Sequence, residues 1–156
     1  ISQTQGMYER EKEEFLEQFC EQDTTLVGFC VMGGIFSEGI DLTGKKLIGA
    51  VIVGTGLPQT GTEREILRQY YDSRGEDGFA YAYRYPGMNK VLQAAGRVIR
   101  TQEDTGAILL LDERFRNSEY RPLFPMEWND RENCSLNTVQ EKLKQFWEKA
   151  EDVSGK

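Results

Sequence analysis

The chain of 156 residues contains no histidine at all. That removes the usual general base of nucleophilic triads and the commonest zinc ligand. Its three cysteines, Cys20, Cys30 and Cys134, are far apart and form no C-x-x-C pair, so they outline neither a zinc site nor a disulfide framework. Cys30 lies inside an apolar run and is expected to be a small core residue. There is no apolar stretch of the length a membrane span requires, nor a secretory or transit-like segment, and a cytoplasmic setting is the default. No Walker-type G-x-x-x-x-G-K-[S/T] occurs. Thr43-Gly44-Lys45-Lys46 has the Gly-Lys pair without the spacing, and reads as a turn before a strand.

Excess positive charge is also missing. Net charge is −7, which argues against a free-standing, high-affinity nucleic-acid binder. The imbalance is local. Residues 1–24 carry seven acids and two bases, residues 25–125 carry twelve of each, and residues 126–156 carry seven and five. The acidic flanks read as solvated helix faces.

Short apolar runs punctuated by glycine or aspartate set the architecture. Leu26–Met32 ends at Gly33-Gly34, Leu47–Val53 at Gly54-Thr55-Gly56, and Ala107–Leu111 at Asp112. Runs without alternation predict strands buried on both faces, as in a parallel sheet. Helices are expected between and around them. Tyr8, Phe15, Leu16 and Phe19 predict an amphipathic helix over 7–21. Thr62-Glu63-Arg64-Glu65 fits a capping box, with Ile66, Leu67, Tyr70 and Tyr71 following at helical spacing. A helix is expected from Asn89 to Arg100. A last helix, capped by Ser135 or Asn137, would bury Leu136, Val139, Leu143, Phe146, Trp147 and Ala150. Residues 75–87 read as a long connection, and residues 116–131 as irregular. In the connection, Tyr81, Tyr83 and Tyr85 alternate as in a partly buried edge strand, or as a base-stacking array. Trp128 and Trp147 read as packing residues.

Gln93, Arg97 and Arg100 stand at i, i+4 and i+7, one stripe if that stretch is helical. Two guanidiniums, permanently charged and fork-shaped, suit a polyphosphate. The plain alternative is a solvated helix face. Upstream lies Gly33-Gly34-Ile35-Phe36-Ser37-Glu38-Gly39-Ile40-Asp41.

Together these runs resemble the fifth and sixth motifs of superfamily 2 helicases, and in detail the XPD/DinG family. Ser37-Glu38-Gly39-Ile40-Asp41 is similar to that family's S-E-G-I-D. Gln93 to Arg100, then Asp104 and Gly106, then Asp112-Glu113-Arg114-Phe115, resembles its Q-x-x-G-R-x-I-R, D-x-G and D-x-R-F runs. Gly56-Leu57-Pro58 sits where the family has G-x-P before a helix. The agreement covers roughly residues 25–120. The resemblance implies the second, C-terminal RecA-like lobe of an ATP-dependent 5′–3′ DNA helicase: an α/β, three-layer sandwich with a mostly parallel sheet flanked by helices. The strand and helix that open such a lobe are not legible before Ile1. The expectation is therefore one domain, 1–156, cut from a larger enzyme and truncated at its N-terminus.

For the site, the resemblance implies Arg97 and Arg100 as arginine fingers on the γ-phosphoryl group. Gln93, Glu38, Gly39 and Asp41 would lie at the nucleotide, and Gly33, Gly34 and Ser37 at single-stranded DNA. For Asp41 a capping role is as good a reading, and Glu38 orients an arginine or faces water. Gly33 and Gly34 are alternatively a tight turn with positive φ. Gly96 would let the arginine helix approach a neighbouring backbone. ATP and Mg²⁺ would be bound mainly by the first lobe, with no metal held here, and the fragment alone would be inactive. The partners implied are that first lobe and single-stranded DNA, with no membrane. Two rivals stand beside this reading: a binding module that has lost the ATPase role, and a small nucleotide-binding protein working alone.

Overall fold

The computed structural model describes residues 1–20, 24–36, 42, 44–101 and 104–154. In chain order these form α1 (Glu9–Glu17), β1 (Gly49–Val53), α2 (Thr62–Ser73), a π-helix (Ala80–Arg84) running directly into α3 (Tyr85–Ala95), β2 (Ala107–Leu111) and α4 (Val139–Ser154). Four short 3₁₀ turns, Gly44–Lys46, Glu113–Arg116, Arg121–Leu123 and Met126–Trp128, fill the connections.

β1 and β2 pair in parallel, Gly49 with Ala107 through Val53 with Leu111. The two apolar runs end where their punctuation predicts: Gly54 turns the chain at φ 85°, and Asp112 caps the turn after β2 by accepting the Arg114 N–H. The result is an α/β fold built on a small parallel sheet, consistent with a RecA-like lobe.

The sheet is not buried on both faces. Residues 50, 52, 108 and 110 point to one side. There Ile52, Met88, Val91 and Ala95 form a buried cluster with Phe115 and Tyr120, and Ile108, Leu110, Phe124 and Trp128 pack around it. The other side is open: Val51, Val53 and Leu111 are 60%, 70% and 49% exposed. Leu143 and Trp147 of α4 stand over only its amino half, leaving a shallow groove of about 210 Å³ against Gly49, Val51 and Leu109. The expectation of strands covered on both faces is thus corrected for the described residues.

Leu26–Met32 is corrected too. It makes a single parallel bridge, Ser2 to Phe29, and Val27, Phe29 and Val31 are exposed. Among the described residues it gains no longer pairing, and one bridge is too short for a strand. Cys30 is exposed, not a core residue. α1 is shorter than expected; Phe15 is buried against Phe19 and Phe36, while Tyr8 is exposed. The capping box at Thr62 is absent, because Thr62 is already helical and Gly61 is the N-cap without a side-chain bond. Before α4, Ser135 and Thr138 bond to each other, Thr138 accepts the Lys142 N–H, and Leu136 lies outside the apolar stripe at 94% exposure.

The largest difference lies in the tyrosine segment. Residues 80–84 are helical, not an edge strand and not a loop. Period-2 alternation misleads here because burial follows the helix and not the alternation: Ala80, Ala82, Tyr83 and Arg84 are all buried, Tyr81 and Tyr85 partly exposed. Ala80 and Ala82 are fully buried, Tyr81 stacks on Tyr71 at 3.9 Å, and Tyr83 donates to Glu65 at 2.5 Å. Arg64 reaches from α2 to donate to the Ala82 carbonyl at 2.9 Å. Asp77 opens the helical run by accepting the Ala80 N–H at 2.9 Å.

Close approach of backbones falls at Gly87, not Gly96. A Cβ at Gly87 would lie 2.6 Å from the Thr55 carbonyl oxygen, and one at Gly56 would lie 2.6 Å from that of Gly87. Among the described residues, only its own helix's Leu92 and Gln93 carbonyls come within 4 Å of a Cβ at Gly96. The G-x-P loop therefore seats α3 on the end of β1.

Candidate functional site

α3 ends at Ala95, with Gly96 as C-cap at φ −66° and ψ −2°. The chain then tightens: the Arg97 N–H donates to Ala94 and the Val98 N–H to Ala95. Val98 is buried and pins this turn, while Ile99 is half exposed. So Gln93 lies on the last turn of α3, Arg97 on the turn beyond it, and Arg100 in the extended loop leading to β2. They do not form one helical stripe. The 3.6-residue pattern continues past Gly96, but a glycine at this position is a stop signal that outweighs it. Gln93 and Arg100 are exposed and Arg97 half-buried, so all three remain at one end of the domain.

That end is the amino end of the sheet. The loop carrying the arginines leads into Ala107, the first residue of β2, whose N–H donates to Ile48 just before β1. Asp104 organises it. One carboxylate oxygen accepts the Arg100 N–H at 2.9 Å and the Thr101 N–H at 2.8 Å. The other accepts the Gly44 N–H at 3.0 Å. These bonds, the Arg100 amide foremost, hold the Asp104 carboxyl below its ordinary pKa. The Gly44–Lys46 stretch is indeed a turn, with Gly44 at φ 65°.

Gly33 also has positive φ, 79°, and the Gly34 N–H donates to the Val31 carbonyl at 2.9 Å. This is the tight turn that was the alternative reading. The Gly34 amide is committed inside it. The side chain of Lys90 lies over this turn, its ammonium nitrogen 3.3 Å from where a Gly33 Cβ would be. Lys90 and Gln93 are i and i+3 on α3, hence on one face. Lys90 is the residue that motif reading passed over; its spacing to Gln93 and Arg97 was the available signal. Ser37, Glu38, Gly39 and Asp41 lie outside the described residues.

At the carboxyl end of β2, Asp112 and Arg114 form a two-bonded pair at 2.8 and 2.6 Å. The Arg114 guanidinium keeps the Asp112 carboxyl below its ordinary range. Among the described residues no group of three His, Cys, Asp or Glu side chains converges as a metal site would require, and no helix is long and apolar enough to cross a membrane.

The arrangement defines an α/β domain whose described residues at this end offer amide and guanidinium groups, suited to an anionic ligand. Comparison with known proteins narrows this. A helicase C-terminal domain model matches residues 1–131, and the chain belongs to that family. It is 36% identical over 89 residues to the ATP-dependent DNA helicase DinG of Photobacterium profundum, covering 56% of this chain and 13% of that protein. It is 31% identical over 120 residues to a probable ATP-dependent helicase of Methanocaldococcus jannaschii, covering 71% and 18%. It is 30% identical over 160 residues to a regulator of telomere elongation helicase 1 homolog of Drosophila ananassae, covering 91% and 16%. These relatives agree with the C-terminal lobe of a DinG/XPD-type helicase. The chain spans less than a fifth of the length of each.

Proposed function

We propose that this chain is the second motor lobe of an ATP-dependent 5′–3′ DNA helicase, one domain of a larger cytoplasmic enzyme. The observation that carries the reading is the Gln93–Arg97–Arg100 set, kept at one end of α3 in a member of the helicase C-terminal family. Arg97 and Arg100 act on ATP held mainly by the first lobe, which also brings the Mg²⁺. Their guanidiniums offset charge developing on the γ-phosphoryl group, an effect of roughly 10³–10⁵ in rate in well-studied phosphoryl transfer. Gln93 contacts the phosphates or the attacking water, and Glu38, Gly39 and Asp41 complete the nucleotide side. Gly33, Gly34 and Ser37 grip single-stranded DNA. With the Gly34 amide used in its turn, Lys90 supplies cationic charge beside Gly33 for a phosphodiester.

The test is ATP turnover by the longer protein that contains this chain. Arg97→Ala and Arg100→Ala are expected to lower DNA-stimulated turnover by orders of magnitude while single-stranded DNA binding survives. Arg→Lys is expected to rescue little. Arg10→Ala, at the surface of α1 beside Glu14, is the control and is expected to leave turnover unchanged. Near-normal turnover in both variants overturns the finger assignment. The 156-residue chain alone is expected to show no ATPase activity.

A further inference from the structure

We propose that Asp104 is a positioning residue for Arg100, acting as a clamp between the arginine loop and the Gly44 turn. The inference rests on the reading of Arg100 given above. A carboxylate offers two oxygens with about four acceptor sites. Here three are occupied by backbone N–H groups, and they are divided between the oxygens. The Arg100 and Thr101 amides take one and the Gly44 amide takes the other.

The local pair alone would be an ordinary side-chain-capped turn, closed further by the Asp104 N–H donating to the Thr101 carbonyl at 3.4 Å. The bond to Gly44 is different in kind. It spans 60 residues and reaches the turn that follows the stretch containing Glu38 and Asp41. One side chain therefore fixes the backbone of Arg100 relative to the point where that stretch re-enters the described fold. Gly44 accommodates this with its positive φ, which other residues adopt only at a cost. Charge-assisted bonds of this type are roughly twice as strong as neutral ones. An amide at position 104 keeps one acceptor oxygen and turns an NH₂ donor toward the remaining N–H groups, so it cannot hold both sides.

Two measurements test the clamp, and they fail separately. First, in the ¹⁵N-labelled chain, Asp104→Asn is expected to shift the Gly44, Arg100 and Thr101 amide resonances together and to speed their hydrogen exchange. The Val51 and Leu109 amides of the sheet stay in place and report that the fold is intact. Movement of Arg100 and Thr101 with Gly44 unchanged reduces Asp104 to a local turn and overturns the proposal. Asp104→Ser, which retains one short acceptor, is the second variant and is expected to free Gly44 likewise. Second, in the longer protein, Asp104→Asn is expected to lower kcat by about 10- to 100-fold, the range for small misplacements of a reacting group, with a smaller change in KM for ATP. Combined with Arg100→Ala it is expected to add nothing, since it acts through that residue. A full additional loss in the double variant overturns the positioning role. If Arg100→Ala alone leaves turnover normal, the finger assignment is what fails, and the amide measurement still judges the clamp.

Discussion

Gly87→Ala sets two magnitudes against each other. Position 87 lies inside α3, where replacing glycine by alanine is worth roughly 0.8–1.0 kcal/mol in favour of the helix. The new methyl group would lie 2.6 Å from the Thr55 carbonyl oxygen and 3.1 Å from the Leu57 nitrogen, both backbone atoms. Neither can swing away as a side-chain tip would. Thr55 is only 1% exposed and lies two residues beyond the end of β1, so retreat of the loop means moving the strand end. Overpacking of this kind costs roughly 1–3 kcal/mol. With both clashes against backbone the upper part of that range, about 2–3 kcal/mol, applies, and the net expectation is a loss of about 1–2 kcal/mol, or a Tm lowered by about 2–4 °C for each kcal/mol in a domain of this size. Gly96→Ala is the comparison. It meets only its own helix's carbonyls, the nearer at 3.2 Å, and is expected to stay within about 0.5 kcal/mol of the parent. Urea unfolding followed by far-ultraviolet circular dichroism measures both. A Gly87→Ala chain as stable as the parent, or more so, would refute the close-approach argument and leave helix propensity as the deciding effect.

Further perturbations address the segment before α3. Arg84, nearly buried, donates to Asp77 at 3.0 Å and to Glu119 at 2.8 Å. Both acids are more than half exposed, so Arg84→Met is expected to cost about 2 kcal/mol, less than for a fully buried pair, again by urea unfolding. The Ala80 amide, with Arg84 adding to it, holds the Asp77 carboxyl below its ordinary pKa. Its contribution is therefore complete above the unfolded value of about 3.9 and lost as pH falls through the lower folded value. Acid unfolding should show the parent ahead of Asp77→Asn at neutral pH and the gap closing in strong acid; a constant gap would contradict it. Met88→Ala removes a side chain at the centre of the cluster and should cost roughly 2–5 kcal/mol in the same denaturation assay.

How much of this was legible in the sequence depends on whether a local signal had a competitor. β1 and β2 were readable almost to the residue, since each apolar run ends at a glycine or a capping aspartate with nothing opposing it. The family was readable because several short motifs fall in order. Leu26–Met32 has the same composition as the strands, but strand formation needs a neighbour, and among the described residues an isolated bridge to Ser2 is the pairing it has. The arginine helix stops early because Gly96 ends it, and Arg100 is held instead by Asp104, a contact no periodicity encodes. Tyr81, Tyr83 and Tyr85 look like a strand because alternation of residue type says nothing of burial, which here takes in Ala80, Ala82 and Tyr83 together. Lys90 is not marked by any motif, since its place beside Gly33 depends on a turn nearly sixty positions earlier in the chain.

The π-helix at Ala80–Arg84 has a bearing on how lengths may vary in this segment. A wide turn accommodates one residue more than an α-turn would in the same connection. Removing one residue here would let the segment close as plain α-helix while Met88 and Val91 stayed in their sockets. The wide turn thus absorbs one residue without putting the chain before it out of phase with α3. A deletion would instead shift the segment's own residues by one position, changing which side chain meets Tyr71 and which carbonyl meets Arg64. The segment's length can therefore change by one while α3 stays docked, with its contacts to α2 made anew.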